Sequence, residues 1–125
     1  MLKEGLTYES KTTVNEDNLA CTLGSGDMKV FATPAMVALM ENASMKAVAD
    51  YLPEGSSTVG AAMNTTHTKP SGLGQTIHAT ATLIEIDRRK LTFRVVAKDE
   101  EGNIGEGTHI RFIVDREKFL SKVYQ

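Results

Sequence analysis

One helical segment constrains the fold of this 125-residue chain more than any other feature. It begins at Thr33-Pro34 and runs over residues 33–52, where Pro53-Glu54-Gly55 ends it. Thr33 is predicted to be the N-cap, whose side chain bonds free backbone N–H groups, and Pro34 suits the first helical position because it has no N–H to lose. At about 100° per residue, apolar and small residues collect on one face, so the helix must pack against another element. They are Met36, Val37, Met40, Ala43, Ser44, Ala47, Val48 and Tyr51.

Strands predicted from the rest of the chain supply that partner. Residues 75–87 alternate polar and apolar side chains with a period of two, which is typical of a half-buried strand. Residues 91–97 and 104–114 follow across short polar turns, so three consecutive strands form an antiparallel meander. Further strands are predicted at 6–14 and 57–68, a loop at 16–30 and a short helix at 115–123.

This order of elements predicts an α+β fold. A five-stranded antiparallel sheet wrapped around one long central helix is the hot-dog architecture. The length of 125 residues matches the commonest size of one domain, so residues 1–125 are expected to form a single hot-dog domain.

The composition excludes several classes of function. The net charge is -2 and the basic residues are scattered, so nothing indicates nucleic-acid binding. No run of about 18 apolar residues is present, so no membrane span is expected, and the first ten residues do not resemble a signal peptide. Cys21 is the only cysteine and is expected to be a small buried residue. A single cysteine permits no internal disulfide, which favours a cytoplasmic location.

Two polar side chains are candidates for chemistry. Glu41 lies at the border of the apolar helix face, where a carboxylate is partly removed from water and can serve as a base or nucleophile. From spacing alone, a solvent-exposed helix glutamate is the commoner outcome. His67 stands among threonines whose hydroxyls can fix its tautomer, although a surface role fits its position equally well.

The other histidines carry weaker signals. His78 alternates with threonines and is expected to belong to a polar face. His109 follows Gly105 and Gly107, which permit close backbone approach, and is either structural or part of the lining of a site. No two histidines have the spacing of metal ligands, so neither a metal nor a cofactor is expected.

Three separated motifs carry a resemblance to a known family. Residues 30–41 (VFATPAMVALME), 65–68 (TTHT) and 105–111 (GEGTHIR) resemble the fluoroacetyl-CoA thioesterase family of the hot-dog superfamily, and the similarity covers nearly the whole chain. The resemblance implies a catalytic constellation at Thr33, Glu41 and His67. It also implies a substrate-binding site lined by Gly60 and Arg111 at the interface of a homodimer, with further pairing into tetramers left open.

Three features refine what the resemblance implies. The fluoro-selective members carry aromatic residues before the helix, whereas residues 21–29 contain none, so the predicted substrate is a small acyl-CoA without special selectivity for fluorine. Pro34 also stands where the family often has glycine. Thr33 and Glu41 are eight residues apart, about 12 Å along a helix, so a site that uses both must extend along the helix or include the partner subunit.

Three functions therefore compete. The first is hydrolysis of a small acyl-CoA thioester to free acid and CoA. The second is a non-catalytic module that binds acyl-CoA, because one fold can host binding without turnover. The third is hydration of an enoyl-CoA, which would require an Asp and His pair near the helix start that the sequence does not show.

Overall fold

The computed structural model describes residues 1–125. In chain order the elements are β1 (Thr7–Thr13), a 3₁₀ turn (Glu16–Asn18), α1 (Ala20–Leu23), α2 (Thr33–Ala49), β2 (Ser56–Thr65), β3 (Thr76–Asp87), β4 (Lys90–Asp99), β5 (Gly102–Asp115) and α3 (Arg116–Val123). The strands form one sheet with the order β1-β3-β4-β5-β2. Each neighbouring pair of strands is antiparallel, and β3, β4 and β5 form the predicted meander. The α+β hot-dog prediction is therefore confirmed.

The core lies between α2 and the inner face of the sheet. Side chains alternate between buried and partly exposed along β3 and β4, because successive strand residues point to opposite faces. The buried strand residues are Ile77, Ala79, Ala81, Leu83, Leu91, Phe93, Val95 and Ala97. They meet the buried face of α2, formed by Met36, Met40, Ala43, Ser44, Ala47 and Val48. Each large apolar side chain buried here contributes about 1.5–3 kcal/mol to folding.

The long helix differs from the prediction at both ends. Ala32 is the N-cap and Thr33 is the first helical residue, so the predicted capping role of Thr33 is wrong. No side chain caps the helix, because the N-cap residue Ala32 has no polar side chain, and the Thr33 hydroxyl instead bonds a histidine on a distant segment. The helix ends at Ala49, which leaves Tyr51 exposed outside the predicted apolar face.

The segment before α2 is more ordered than the loop prediction suggested. Asn15 caps the 3₁₀ turn through a reciprocal pair of hydrogen bonds with Asn18. Leu19 is fully buried and forms a β-bridge with Phe31, which anchors both ends of the segment that contains α1. No residue of α1 itself is buried, so Cys21 is exposed and the prediction that it is buried is wrong. No helix of the protein is long and apolar enough to cross a bilayer.

Candidate functional site

Thr33 and His67 form a direct contact at the start of α2. The Thr33 Oγ1 and His67 Nδ1 atoms are 2.8 Å apart, a hydrogen bond that fixes the orientation of the ring. His67 lies just beyond β2, two residues after its last residue Thr65, rather than within a strand. The backbone N–H groups on either side, at Thr66 and Thr68, donate to carbonyl oxygens of β5. The imidazole is therefore held by both a side-chain bond and a paired backbone.

The environment of His67 favours its neutral form. The side chain is half-buried, and burial lowers the pKa of the imidazole below 6.5, with a weaker interaction at the Lys69 backbone opposing the shift. Its Nε2 atom is shielded from solvent and has no hydrogen-bond partner in the chain. A neutral imidazole with Nδ1 oriented by Thr33 and Nε2 left without a partner has the chemistry of a general acid or base.

A cavity of about 230 Å³ adjoins this pair. Ala20 of α1 and Ser25 of the segment that follows α1 contribute to its lining, and Phe31 is the only phenylalanine, tyrosine or tryptophan there. Beside it, the N–H groups of Thr33 and Ala35 have no backbone acceptor. They lie at the positive end of the α2 dipole, which favours negative charge. The complete lining consists of Ala20, Ser25, Val30, Phe31, Thr33, His67, Thr68, Lys69 and Pro70.

Glu41 belongs to a second polar group, farther along α2. Its half-buried side chain lies over Gly60 of β2, where a Cβ atom would come within 3.0 Å of Glu41 Oε2. The same Cβ would lie 3.3 Å from His109 Cε1 and 3.4 Å from Arg111 Nη1. Glycine at position 60 therefore allows Glu41, His109 and Arg111 to converge on one point.

Arg111 carries a buried positive charge in this second group. Only 7% of the residue is exposed, and its guanidinium takes part in none of the ion pairs of the chain. Burial lowers the pKa of Arg111, and the charge of Glu41 opposes that shift. A buried cation without an ion-pair partner is costly, so this position is suited to an anionic group or to developing negative charge. Glu41, Gly60 and Arg111 line a groove of about 440 Å³.

The predicted site residues thus fall into two groups within one chain. Thr33 contacts His67, whereas Glu41 lies with Gly60 and Arg111. The two groups are separated by about 12 Å of helix. From the sequence His109 is either structural or part of a site lining, and the structure places its ring beside Arg111. It lies an even number of positions from Gly105, Gly107 and Arg111 along β5, so its side chain shares their face of the sheet.

Asp99 fastens the segment that carries His67 to the end of β4. Its Oδ2 atom lies 2.6 Å from Lys69 Nζ and accepts a 2.8 Å hydrogen bond from Ser71. Its Oδ1 atom accepts from the N–H groups of Glu101 and Gly102. Burial opposes ionisation of Asp99, but these hydrogen bonds outweigh it and lower the pKa to about 2.

We expect Asp99→Asn to destabilise the protein by about 2–3 kcal/mol, because the amide nitrogen cannot accept from Lys69 and Ser71. Since folding lowers the Asp99 pKa, this stabilisation is complete above the ordinary carboxyl pKa and is lost as pH falls towards about 2. Urea unfolding between pH 7 and pH 2 measures both effects. Glu101→Gln is the control, because Glu101 is exposed and its change should stay within about 0.5 kcal/mol. Equal losses for the two variants would contradict the role of Asp99.

Comparison with known proteins relates this geometry to a family. The family model described as fluoroacetyl-CoA-specific thioesterase matches residues 14–117. The fluoroacetyl-CoA thioesterase of Streptantibioticus cattleyicolor is 44% identical over 97 residues, which are 78% of this chain and 70% of that protein. A solved variant of the fluoroacetyl-CoA thioesterase FlK in complex with acetyl-CoA superposes with a TM-score of 0.94 at 35% identity, covering 99% of this chain and 98% of the other.

A more distant solved structure bears on the fold alone. A hot-dog-like protein from Thermanaerovibrio acidaminovorans is 19% identical and superposes with a TM-score of 0.87, covering 97% of this chain and 90% of the other. The hot-dog arrangement is thus retained at low sequence identity.

Proposed function

Because the chain belongs to the family of fluoroacetyl-CoA-specific thioesterases and is a thioester hydrolase, we propose that it hydrolyses a small acyl-CoA at a site built from two subunits. The observation that carries the proposal is the Thr33–His67 hydrogen bond, which leaves the buried Nε2 of His67 unpartnered beside a cavity. The complex of a related thioesterase with acetyl-CoA supports this class of substrate. The absence of aromatic residues at 21–29 favours a small acyl group without selectivity for fluorine.

The side chains have distinct roles in this mechanism. In one route Glu41 removes a proton from a water that attacks the thioester carbonyl carbon, and in the other Glu41 attacks that carbon itself and water then hydrolyses the acyl-glutamyl anhydride. In both routes the C–S bond breaks and the acid gains the hydroxyl of the water, while His67 relays the proton of that water to the CoA sulfur, so the products are the free acid and CoA. Thr33 orients the imidazole, and the free N–H groups at the start of α2 stabilise the oxyanion. Arg111 and Gly60 form the part of the site next to Glu41.

The exposed edge of β2 supports a homodimer. β2 is the last strand of the sheet, pairs only with β5 and contains no charged residue in its ten positions. A long uncharged edge with exposed backbone groups is a template for pairing with another chain. Ala61 and Ala62 are exposed at its centre, and their small side chains allow close approach. A second copy of this chain, paired through β2 about a two-fold axis, covers that edge.

Such pairing unites the two polar groups. In an antiparallel pair of β2 strands, the segment after the end of one strand runs beside the first half of the other. That segment carries His67, and the first half of β2 carries Thr58 and Gly60, next to Glu41 and Arg111. Thr33 and His67 of one subunit then face Glu41 of its partner across one site, and the two-fold axis creates two such sites.

A direct assay tests the proposed activity. Release of free thiol and acid is followed for acetyl-, propionyl-, butyryl- and fluoroacetyl-CoA, together with hydration of crotonyl-CoA. We expect hydrolysis of the short acyl-CoAs without a preference for the fluorinated one. Tight acyl-CoA binding in calorimetry with no product would identify a binding module, and hydration of crotonyl-CoA without thiol release would identify a hydratase. A cytoplasmic location, which suits a CoA substrate, stays a prediction.

The dimer makes its own prediction. Ala61→Lys places two like charges near the proposed two-fold axis and should shift the protein from twice 13.6 kDa to 13.6 kDa in sedimentation experiments, with loss of most hydrolysis. Thr13→Lys on β1, at the opposite edge of the sheet, is the matched control and should change neither mass nor rate. Full activity of a monomeric Ala61→Lys variant would contradict a site shared between subunits.

A further inference from the structure

His109 is a buried polar side chain that the proposed mechanism does not use. It lies in β5 with 1% of its surface exposed, opposite Phe93 of β4 and Met63 of β2. Its ring contacts the Phe93 ring at 6.4 Å between centroids. We propose that His109 is a positioning residue that holds the Arg111 guanidinium beside Glu41 for thioester hydrolysis, a role that rests on the proposed function.

The two hydrogen bonds of His109 fix its chemical form. Nδ1 lies 2.7 Å from the carbonyl oxygen of Ala62, and a carbonyl only accepts, so Nδ1 carries the proton. Nε2 lies 3.2 Å from Arg111 Nη1, and a guanidinium only donates, so Nε2 is the acceptor. One neutral tautomer satisfies both contacts. Protonation of Nε2 would remove the acceptor and place a second cation against Arg111.

Arg111 depends on such fixed acceptors. Its Nε donates to Thr58 Oγ1 over 2.8 Å, and its Nη2 donates to the Thr58 carbonyl oxygen over 2.9 Å. Thr58 thus holds one edge of the planar group and His109 holds Nη1 on another. Three of the five guanidinium N–H groups donate these hydrogen bonds, and the other two have no acceptor in the chain. Those two N–H groups can donate to the thioester or to the negative charge that develops on it.

His109 also acts on the shape of β2. The carbonyl oxygen of Ala62 accepts the hydrogen bond from His109 Nδ1. Ala62 is also the residue at which the pairing of β2 with β5 resumes after the register shift that follows Gly60. The ring therefore ties this bulge to β5 and keeps Gly60 close to Glu41 Oε2. Burial is the largest effect and lowers the pKa of His109, as does the Arg111 charge, whereas the Ala62 contact and the Glu41 charge oppose the shift without reversing it. The neutral form that the geometry requires is also the form that the surroundings favour.

Two substitutions separate positioning of Arg111 from simple packing. In His109→Asn the amide nitrogen replaces Nδ1 and keeps the Ala62 bond, but nothing reaches Arg111. In His109→Gln the amide oxygen extends to the place of Nε2 and accepts from Arg111, whereas the Ala62 bond is lost. We expect His109→Asn to lower kcat/KM by about 10- to 100-fold and His109→Gln to stay within about threefold of wild type. Thermal unfolding of both variants checks that they lose similar stability.

A double-mutant cycle and a spectrum complete the test. In an Arg111→Lys background, His109→Asn should cause no further loss of kcat/KM, because the group that it positions is absent. Long-range ¹H–¹⁵N spectra of the wild-type imidazole, which need no turnover, should show His109 neutral with its proton on Nδ1 at pH 7. An Nε2–H tautomer, a charged ring, or equal losses for Asn and Gln would overturn the role of His109 while wild-type hydrolysis stands. If the wild-type protein releases no thiol, the proposed function is wrong, and the role of His109 in hydrolysis, which rests on it, is wrong as well.

Discussion

We expect Glu41→Gln to lower the kcat of thioester hydrolysis by about a thousandfold without changing the folding or the assembly of the protein. Glutamine has the size of glutamate but can neither attack a carbonyl carbon nor remove a proton from water. Because Glu41 is only half-buried and takes part in none of the ion pairs of the chain, the exchange leaves the fold intact. Thiol release under saturating acyl-CoA gives kcat, and sedimentation and thermal unfolding give the assembly and the stability.

Glu54→Gln is the control for Glu41→Gln. Glu54 is an exposed carboxylate just beyond the end of α2, so its exchange changes net charge by the same amount without touching the groove. The control should hydrolyse at the wild-type rate. A Glu41→Gln variant that keeps its rate within about threefold would remove Glu41 from the mechanism.

Gly107→Ala should destabilise the protein by about 3 kcal/mol and disrupt the site as well. A Cβ atom at this position would clash with the backbone of β2, at the carbonyl oxygen of Asn64 and the Cα of Thr65. Backbone cannot rotate away as the end of a side chain can, so β2 and β5 must separate at the point where the chain leads into His67. Unfolding in urea measures the stability, and kcat/KM measures the effect on the site.

Gly72→Ala is the matched control for this substitution. No atom lies within 4 Å of a Cβ at Gly72, and its φ is not positive, so alanine fits without strain. We expect a change within about 0.5 kcal/mol and an unchanged rate. Equal stability of the two variants would contradict the close approach of β2 to Gly107.

The main elements could be predicted from the sequence because their signals are local. The period-two pattern of residues 75–87 coincides with β3, and the stretch that opens with Thr33-Pro34 coincides with the first turns of α2. The role of the Thr33 hydroxyl could not be predicted in this way. Its partner His67 lies 34 residues along the chain, so the choice between capping the helix and bonding the imidazole depends on the tertiary fold.

The site was predictable only in part for the same reason. The resemblance to a known family gave the catalytic and binding roles of the predicted site residues, and these roles stay predictions. The residues are Thr33, Glu41, His67, Gly60 and Arg111. The choice between the two alternatives for His109, structural or part of a site lining, could not be made from the sequence, because it depends on the pairing of β5 with β2, where a bulge aligns its ring with the Ala62 carbonyl. Period two places the inward residues of β5 on one face, but it does not give the register against the neighbouring strand.

Subunit complementation tests the central claim, that Glu41 of one subunit and His67 of the other share a site. Glu41→Gln and His67→Gln chains with different affinity tags are each expected to be nearly inactive as homodimers. A heterodimer purified through both tags keeps one intact site of two, so we expect about half of the wild-type activity per dimer. If the purified heterodimer is as inactive as its parents, the catalytic groups do not come from different subunits, and the account of the site is wrong.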